Sequence, residues 1–422
     1  MLTAVVGINW GDEGKGRMVD LLSADYDIVC RYQGGNNAGH TVINDYGKIV
    51  LNLLPSGISR EGTVNVMGNG MVIDLEHLVH EIQSLREKGI HIGSDNLKIS
   101  DKAVICLPWH KMQDIMEEDR LKDKKFGSTR RGIGPVYADK YMKKAIRMGD
   151  LFAPDKLPEK VADLTEWKNL TVRGYGHEPV KAEDILAWLH EFGDPIKPYI
   201  TDVSDYLYDA ASAGENIMFE AQLGALRDIE FGIYPYTSSS CTLAGYATIG
   251  AGIPGLKLDK TIGIMKAYSS CVGEGPFTVE MFGDEAEALR RAGGEYGAAT
   301  GRPRRVGAFD IPASRYGVRM HGADCIALTK MDVLSYMDKI PVCVAYDING
   351  EITEKFPVGE RLNAAKPVFE YMEGFGDISG CRKPEDLPKA ALDYVKFIEK
   401  AVGCPIKYVS VSAEREGCIE MF

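Results

Sequence analysis

The stretch from 3 to 23, "TAVVGINWGDEGKGRMVDLLS", predicts a strand, a glycine-rich turn and a helix in direct succession. The backbone N–H groups of such a turn and the helix N-terminus together form a site for phosphate. The usual motif, G-x-x-x-x-G-K-[ST], does not fit, because its first glycine would be Asn9 and its hydroxyl residue would be Gly16. The turn also contains two acids, Asp12 and Glu13, where a phosphate gains nothing from negative charge. We therefore expect a phosphate loop in which a carboxylate has a task of its own.

The composition is that of an ordinary globular protein. The chain has 422 residues, of which 45% are hydrophobic and 26% charged, and its net charge is −12. This acidic balance argues against a dedicated nucleic-acid binder, which needs a basic surface. No apolar run is long enough to span a membrane and no secretory signal is visible, so we expect a cytoplasmic protein without a membrane partner. Nine dispersed cysteines without a C-x-x-C spacing are expected to be reduced thiols.

Short apolar runs alternate with amphipathic helices along the chain. The runs that predict strands are "DIVCRY", "KIVLNLL", "TVNVMG", "LKIS", "NIMFE", "TIGIMKAY", "CIALTK", "PVCVAY" and "IKYVSVS". Apolar spacing and a terminal glycine predict helices over 74–89, 181–193 and 389–403. This alternation predicts an α/β fold with a central, mostly parallel twisted sheet flanked by helices. We expect one large domain over 1–422, with a mainly helical elaboration at about 110–210.

Two further glycine-rich stretches follow the first. They are "RYQGGNNAGHTV" (31–42) and "GSTRRGIGPVYADK" (127–140), and either could be no more than a tight connection. His40 in the first stretch has no local apolar pattern against which to pack. An imidazole at such a place can donate to a phosphate or to a departing oxygen.

Two stretches in the C-terminal half favour anion and base recognition. "EYGAATGRPRRVGAFD" (295–310) contains three arginines, which suit either a solvated turn or a clamp for carboxylate or phosphate. "ALTKMDVL" (327–334) is an apolar strand that ends in Thr-Lys-x-Asp. The carboxylate of Asp332 could accept from both N1–H and the 2-amino group of guanine. Adenine lacks both donors, so this pattern predicts a preference for GTP over ATP.

Seven motifs in this order resemble the adenylosuccinate synthetase family over essentially the full length. The motifs are "WGDEGKG", "NNAGHT", "RRGIGPVYADK", "IYPYTSSSCTLAG", "KAYSSCVGEGPF", "TGRPRR" and "TKMD". The resemblance implies a P-loop-like, GTPase-related architecture and a homodimer. It also implies a GTP- and Mg²⁺-dependent ligase that joins IMP and L-aspartate to give adenylosuccinate, GDP and phosphate through a 6-phosphoryl-IMP intermediate.

The resemblance assigns roles to the catalytic residues. Asp12 would be the base at N1–H of IMP and would bind Mg²⁺ with the Gly39 carbonyl, an oxygen-only donor set that suits this ion. His40 would act as a general acid in phosphoryl transfer, and Lys15 would neutralise charge. Gln222 would contact the nucleotide from the "EAQLGA" segment.

The binding residues carried over by the resemblance fall into three sets. The GTP set is Gly11, Asp12, Glu13, Gly14, Lys15, Gly16, Arg17, Gly39, His40, Thr41, Arg304, Lys330, Met331, Asp332, Ser410, Val411 and Ser412. The IMP set is Asp12, Glu13, Gly14, Lys15, Asn37, Ala38, Gly39, His40, Thr129, Lys143, Gln222, Ser238 and Arg302. The aspartate set is Ala298, Ala299, Thr300, Gly301, Arg302, Pro303 and Arg304.

This chain departs from the common family pattern at several positions. "EAQLGA" replaces "EGAQGT", so a gapless alignment puts Leu223 at the glutamine position and Gln222 one residue earlier. Lys143 replaces an arginine that reaches the IMP phosphate across the dimer, which keeps the charge and loses the bidentate fork. Ser238 and Ala299 replace threonines, and "SVSA" replaces "STGP".

Three other interpretations remain open at this stage. A GTP-binding switch protein would explain the phosphate loops, although Gly16 and the loop acids count against it. A ligase acting on another 6-oxopurine nucleotide, such as dGMP, is suggested by the altered Gln222 segment. A non-catalytic relative is the third, and the presence of both Asp12 and His40 counts against it.

Overall fold

Strands and helices alternate along the chain, in a computed structural model that describes residues 1–296, 301 and 303–422. In these residues the strands are β1 (Leu2–Gly7), β2 (Ile28–Arg31), β3 (His40–Asn44), β4 (Gly47–Leu51), β5 (Val64–Met67), β6 (Val72–Ile73), β7 (Leu97–Ser100), β8 (Val104–Ile105), β9 (Ile200–Thr201), β10 (Ile217–Glu220), β11 (Lys260–Lys266), β12 (Ser269–Cys271), β13 (Arg305–Gly307), β14 (Phe309–Asp310), β15 (Cys325–Thr329), β16 (Lys339–Ile348), β17 (Glu351–Thr353), β18 (Ala365–Glu373), β19 (Ile406–Ser410) and β20 (Cys418–Glu420). The α-helices are α1 (Lys15–Leu22), α2 (Leu75–Glu87), α3 (Pro108–Leu121), α4 (Ile133–Tyr141), α5 (Leu157–Gly174), α6 (Ala182–Gly193), α7 (Val203–Ser212), α8 (Ala247–Ala251), α9 (Gly283–Gly293), α10 (Ile311–His321), α11 (Glu360–Asn363) and α12 (Lys389–Val402).

A ten-stranded sheet forms the centre of the molecule. Its strand order is β20-β19-β15-β11-β1-β10-β2-β5-β7-β9. Each neighbouring pair is parallel except β19 and β20, which are antiparallel at one edge. The predicted α/β fold with a mostly parallel central sheet is therefore confirmed.

Strand β1 shows why its sequence is a continuous apolar run. Its side chains alternate between the two faces of the sheet. Ala4 and Val6 pack in a cluster with residues of α7 and α8. Val5 packs in a different cluster with Met18 and Val19 of α1. Both faces of this strand are covered, and a strand covered on both faces is apolar at every position.

All nine apolar runs of the sequence contain a strand, but two of these lie outside the main sheet. "KIVLNLL" contains β4, which pairs with β3 in a two-stranded hairpin. Its residues alternate between exposed and buried, as expected for a strand with one solvated face. "PVCVAY" lies in β16, which belongs to a four-stranded sheet with β14, β17 and β18. An apolar run predicts a strand without predicting its neighbours.

The three predicted amphipathic helices correspond to α2, α6 and α12. Asp74 caps α2 by accepting a hydrogen bond from the His77 backbone N–H. Helices α3 to α7 account for most of the segment between 108 and 212. Residues of α2, α5 and α6 share one apolar cluster, and β9 then adds the last strand to the main sheet.

Two further observations concern membrane-spanning helices and the cysteines. In the described part of the chain, no helix has both the length and the apolar character needed to cross a membrane. All nine cysteines lie in that part and are free thiols.

Candidate active site

The predicted phosphate and base-binding residues lie where parallel strands end. Five adjacent strands of the main sheet, β15, β11, β1, β10 and β2, run in the same direction. Their carboxyl ends therefore share one edge, and open parallel sheets bind ligands at that edge. The residues at or just after those ends include Lys330, Lys266, the loop after Gly7, Glu220 and Arg31.

The phosphate loop uses left-handed backbone conformations to turn from β1 into α1. Gly11, Asp12 and Gly14 have φ values of 98°, 58° and 95°. Such a conformation is uncommon for a residue other than glycine, and at Asp12 it marks a site where backbone strain is tolerated. Helix α1 starts at Lys15 without a side-chain cap on its first N–H groups. These donors are available to an anion.

The two acids of this loop have different environments. Glu13 is 2% exposed and binds Lys15 Nζ at 2.6 Å. It also accepts hydrogen bonds from the backbone N–H groups of Gly11, at 2.7 Å, and Asn9, at 3.2 Å. Asp12 is 27% exposed, and its Oδ2 lies 3.3 Å from Arg304 Nη2. Glu13 therefore shapes the loop, and the Asp12 carboxylate remains accessible.

His40 lies against the start of α1, at the first residue of β3. A Cβ added to Gly16 would lie 2.6 Å from His40 Cβ, so only a glycine allows this approach. His40 Nδ1 is 2.5 Å from Glu220 Oε1, at the end of β10. Ser56 donates to Glu220 through its backbone N–H, at 2.7 Å, and through its hydroxyl. The imidazole is therefore oriented by a buried carboxylate.

Burial and charge act in opposite directions on this pair. Burial lowers the pKa of His40, and the neighbouring Glu220 only partly offsets this. Burial raises the pKa of Glu220, but its interactions with His40, Arg31 and Ser56 outweigh this effect and lower that pKa. Glu220 is thus ionised, and burial favours the neutral form of His40, in which Nδ1–H can donate to this carboxylate.

The "EAQLGA" segment places Gln222 and Leu223 on different neighbours. Gln222 is fully buried, and its Nε2 donates to Asn37 Oδ1 at 2.5 Å, while its Oε1 accepts from Arg31. Leu223 has a φ of 64°, and its Cα lies 3.3 Å from the position of a Cβ on Gly11. The glutamine side chain therefore lies beside Asn37 of the predicted IMP set, and Leu223 faces the phosphate loop.

The predicted guanine residues come together at the end of β15. Lys330 has a φ of 57° and precedes a short helical turn that contains Met331 and Asp332. Arg17 of α1 donates to the Ser410 hydroxyl, and the charge of Asp332 counteracts the lowering of the Arg17 pKa by burial. Burial raises the pKa of Asp332. The Ser410 hydroxyl also donates to the carbonyl of Ser412, with Val411 buried between them.

The segment 295–305 contains three arginines and is called the arginine loop below. The structure describes only part of it. Ala298, Ala299, Thr300 and Arg302 lie outside the described residues. Tyr296 and Pro303 form an isolated β-bridge, and Gly301 has a φ of 64°. Arg304 Nη1 lies 3.0 Å from Glu295 Oε2, so this arginine connects Asp12 with a buried glutamate.

The other predicted residues are either connected to the site by hydrogen bonds or exposed at the surface. Ser238 Oγ is 3.2 Å from Ser240 Oγ, and Ser240 donates to Gln33, whose Nε2 donates to the Gln222 carbonyl. The Ala38 carbonyl accepts from Asn52, and Thr41 is exposed on β3. Thr129 and Lys143 are exposed, and within the described residues their side chains form no hydrogen bond with another site residue.

The donors predicted for Mg²⁺ fit that ion. The partly exposed Asp12 carboxylate and the Gly39 carbonyl are hard oxygen donors, and Mg²⁺ is usually held by one or two carboxylates together with substrate phosphates and water. Across residues 1–296, 301 and 303–422, no three or more His, Cys, Asp or Glu side chains are grouped to enclose a metal. The donor set suits an ion that binds with a nucleotide.

The chain is similar to known proteins over nearly its whole length. The family model described as adenylosuccinate synthetase matches residues 4–419. The chain belongs to the adenylosuccinate synthetase family. Family membership implies GTP-dependent ligation of IMP and L-aspartate in AMP synthesis, so the predicted family and reaction are confirmed at this level.

Relatives in this family match over nearly their whole length. Adenylosuccinate synthetase of Caldanaerobacter subterraneus is 44% identical over 421 residues, which cover 99% of this chain and 98% of that protein. The enzyme of Streptococcus gordonii is 43% identical over 415 residues, which cover 98% of this chain and 96% of that protein. The fully ligated adenylosuccinate synthetase structure from Plasmodium falciparum has a TM-score of 0.93 at 36% identity, covering 100% and 99%. A cyanophage S-2L succinoaminodeoxyadenylate synthetase, at 18% identity and a TM-score of 0.61, shares the fold.

Three buried residues of the candidate site are absent from the sequence predictions. They are Glu220 beside His40, Arg31 beside Gln222, and Glu295 beside Arg304. Each is a charged residue at the end of an apolar strand or just before a glycine-rich loop. A charge at such a place is the signal that could have indicated them, because buried charges are rare without a partner.

Proposed function

We propose that this chain joins IMP to L-aspartate by transferring the γ-phosphoryl group of GTP to O6 of IMP, and that Asp12 is the base in this step. The observation that carries the proposal is that the two loop acids have different environments. Glu13 forms a buried ion pair with Lys15, whereas the Asp12 carboxylate is partly exposed. An accessible carboxylate beside a phosphate loop can take the N1 proton of the purine. O6 then becomes nucleophilic toward the phosphoryl group.

His40 and Glu220 support the same transfer. With Nδ1 bonded to Glu220, Nε2 is the imidazole nitrogen that would contact a ligand. Phosphate groups bound at α1 would favour the imidazolium, whose Nε2–H would then donate to the transferring group. The Glu220 carboxylate stabilises that cation from behind.

Charge neutralisation comes from the phosphate loop and its surroundings. Lys15 and the free N–H groups of α1 would contact the phosphates of GTP. Asp12 and the Gly39 carbonyl would hold Mg²⁺, which supplies positive charge at the phosphate oxygens when bound. The aspartate amine would then displace phosphate from C6 of the intermediate. Arg304, which lies beside Asp12, would bind a carboxylate of L-aspartate.

We also propose a cytoplasmic homodimer in which Lys143 contributes to the partner's IMP site. Lys143 is exposed with a φ of 62°, next to the exposed side chains of Tyr141 and Met142. An exposed apolar pair beside a cation is typical of a surface that another chain covers. We further propose that the whole chain is a single domain, which the apolar clusters shared between distant segments support.

The test is a reconstituted reaction with IMP, L-aspartate, GTP and Mg²⁺, followed by the ultraviolet change of adenylosuccinate. The Asp12→Asn variant should lose about 1,000-fold in kcat because an amide cannot accept the proton. The matched control is Asp45→Asn, the same change at an exposed turn of the β3–β4 hairpin, which should keep full activity.

Other outcomes distinguish the alternatives. GTP hydrolysis without adenylosuccinate would favour a switch protein. Turnover only with dGMP or another 6-oxopurine nucleotide would favour a changed substrate. Near-normal turnover by a folded Asp12→Asn variant would contradict the assignment of the base.

A further inference from the structure

A buried carboxylate, Glu295, lies at the base of the arginine loop and binds four side chains. It is 0% exposed. Lys266 Nζ, at 2.7 Å, and Lys330 Nζ, at 3.1 Å, both reach its Oε1, which also accepts from the Tyr268 hydroxyl. Arg304 Nη1 reaches Oε2 at 3.0 Å. Oε1 therefore accepts from three donors and Oε2 from one.

Two of these partners belong to different parts of the proposed site. Lys330 begins the guanine motif, and Arg304 contacts Asp12. Main-chain contacts reinforce both connections, since Lys330 Nζ donates to the Gly293 carbonyl at 2.7 Å and Arg304 N–H donates to the Glu295 carbonyl at 2.9 Å. A movement of the Lys330 ammonium or of the Arg304 guanidinium therefore changes a contact with the same carboxylate.

The charge of Glu295 is needed to hold these cations in place. Lys266, Lys330 and Arg304 bring three positive charges to one buried carboxylate. Buried charges without compensation are costly, so loss of the carboxylate would displace the more mobile of them. Arg304 Nε is buried and has no hydrogen-bond partner among the described residues, so this guanidinium keeps a donor for a ligand anion.

We propose that Glu295 is a positioning residue that couples the guanine site to the aspartate site, by holding Lys330 with one oxygen and Arg304 with the other. This inference rests on the proposed function, which assigns the two cations to GTP and L-aspartate. Guanine bound at Lys330 stabilises the arrangement in which Arg304 is ready for a carboxylate. L-aspartate bound at Arg304 favours the guanine site in return, because such coupling is reciprocal.

The experiment measures GDP binding by calorimetry in the presence of IMP, with and without L-aspartate. In the wild type we expect L-aspartate to tighten GDP binding about fivefold, and GDP to tighten L-aspartate binding by the same factor. Glu295→Gln keeps the shape of the side chain but loses the charge. It should reduce the coupling factor, the ratio of GDP affinities with and without L-aspartate, to about one. Tyr268→Phe is the matched control, because it removes one hydrogen bond from the same oxygen and leaves both cations; its factor should stay at the wild-type value.

A coupling factor unchanged in Glu295→Gln, or absent from the wild type, overturns the inference. If Glu295→Gln does not fold, Glu295→Asp keeps the charge on a shorter stem and should also lose the coupling; retention of the coupling overturns the proposal.

If neither variant folds, Lys330→Met and Arg304→Lys are combined in a double-mutant cycle on KM for L-aspartate. Non-additive effects support the connection through Glu295, and additive effects overturn it. Lack of adenylosuccinate formation by the wild type contradicts the proposed function, whereas turnover without coupling contradicts this inference alone.

Discussion

Residues next to each other in the phosphate loop differ in role because the backbone turns between them. The left-handed conformation of Asp12 separates its carboxylate from that of Glu13. Glu13 is directed to Lys15 and to the backbone N–H groups of Asn9 and Gly11. GTP binding would have to compete with this ion pair for Lys15.

The pairing of His40 with Glu220 leads to a prediction for pH dependence. Glu220→Gln should lower kcat about 10- to 100-fold with small changes in KM, because the imidazolium loses its counter-charge in the transfer step. The Glu220 charge raises the pKa of His40 against the effect of burial, so its removal lowers that pKa further. The basic limb of the pH–kcat profile, where His40 loses its proton, should therefore move to lower pH.

The control for this variant is Ser56→Ala. It removes the hydroxyl donor to the same carboxylate but keeps the charge and the Ser56 backbone N–H. Its kcat should stay within about fivefold of the wild type, as for a single hydrogen bond of about 1 kcal/mol. A Glu220→Gln profile that overlays the wild-type profile would contradict an effect through His40.

Asp332 provides a prediction on nucleotide choice. Asp332→Asn should reduce the preference for GTP over ATP, in kcat/KM, by about 100-fold or more, because an amide cannot accept from both guanine donors. Asp377→Asn is the matched control, since it removes an exposed charge that acts on Asp332 without occupying the same position. Steady-state kinetics with both nucleotides checks this, and an unchanged preference would remove Asp332 from the guanine site.

At the level of elements, the site depends on how closely α1 and β3 approach. Gly16→Ala should lower kcat at least about 100-fold, although alanine favours a helix, because the new Cβ would overlap His40. Gly174→Ala is the control in α5, where a Cβ meets nothing within 4 Å, and it should leave activity unchanged. Equal activity of the two variants would show that α1 and β3 can separate without loss of function.

The elements themselves were largely predictable from local pattern. The runs that became β1, β10 and β15 and the helices α2, α6 and α12 follow from apolar spacing, and the motifs led to the family. Contacts between distant segments were not predictable in this way. His40 and Glu220 are 180 residues apart, and no periodicity relates them. The hairpin placement of β4 likewise depends on pairing with β3, which a single run of residues does not encode. The roles of individual site residues stay predictions.

At the scale of the whole molecule, one buried histidine, His321, links three distant segments at the site edge. His321 ends α10, and its Nε2 lies 2.9 Å from the Gly7 carbonyl at the end of β1. Its Nδ1 accepts the Ala244 backbone N–H at 3.2 Å. Donation by Nε2 and acceptance by Nδ1 require the neutral ring. Three distant parts of the chain therefore depend on the protonation state of one side chain.

This dependence predicts how stability changes with acid. Burial lowers the pKa of His321 to about 4 in the folded state, below its ordinary value of 6.5. The stability contributed by the neutral ring is therefore present above about pH 6.5 and is lost as pH falls toward 4, amounting to about 2 kcal/mol at about pH 5. His321→Gln should lower the urea midpoint at about pH 7.5 by breaking one of the two hydrogen bonds. The difference in urea midpoint between the variant and the wild type should narrow at about pH 5. Only the wild type has a buried imidazole whose protonation is favoured in the unfolded chain at that pH, so only the wild type loses stability through this group. A gap of equal size at both pH values would show that His321 does not titrate in this way, and taking the difference between the two proteins removes the contributions of all other titrating groups.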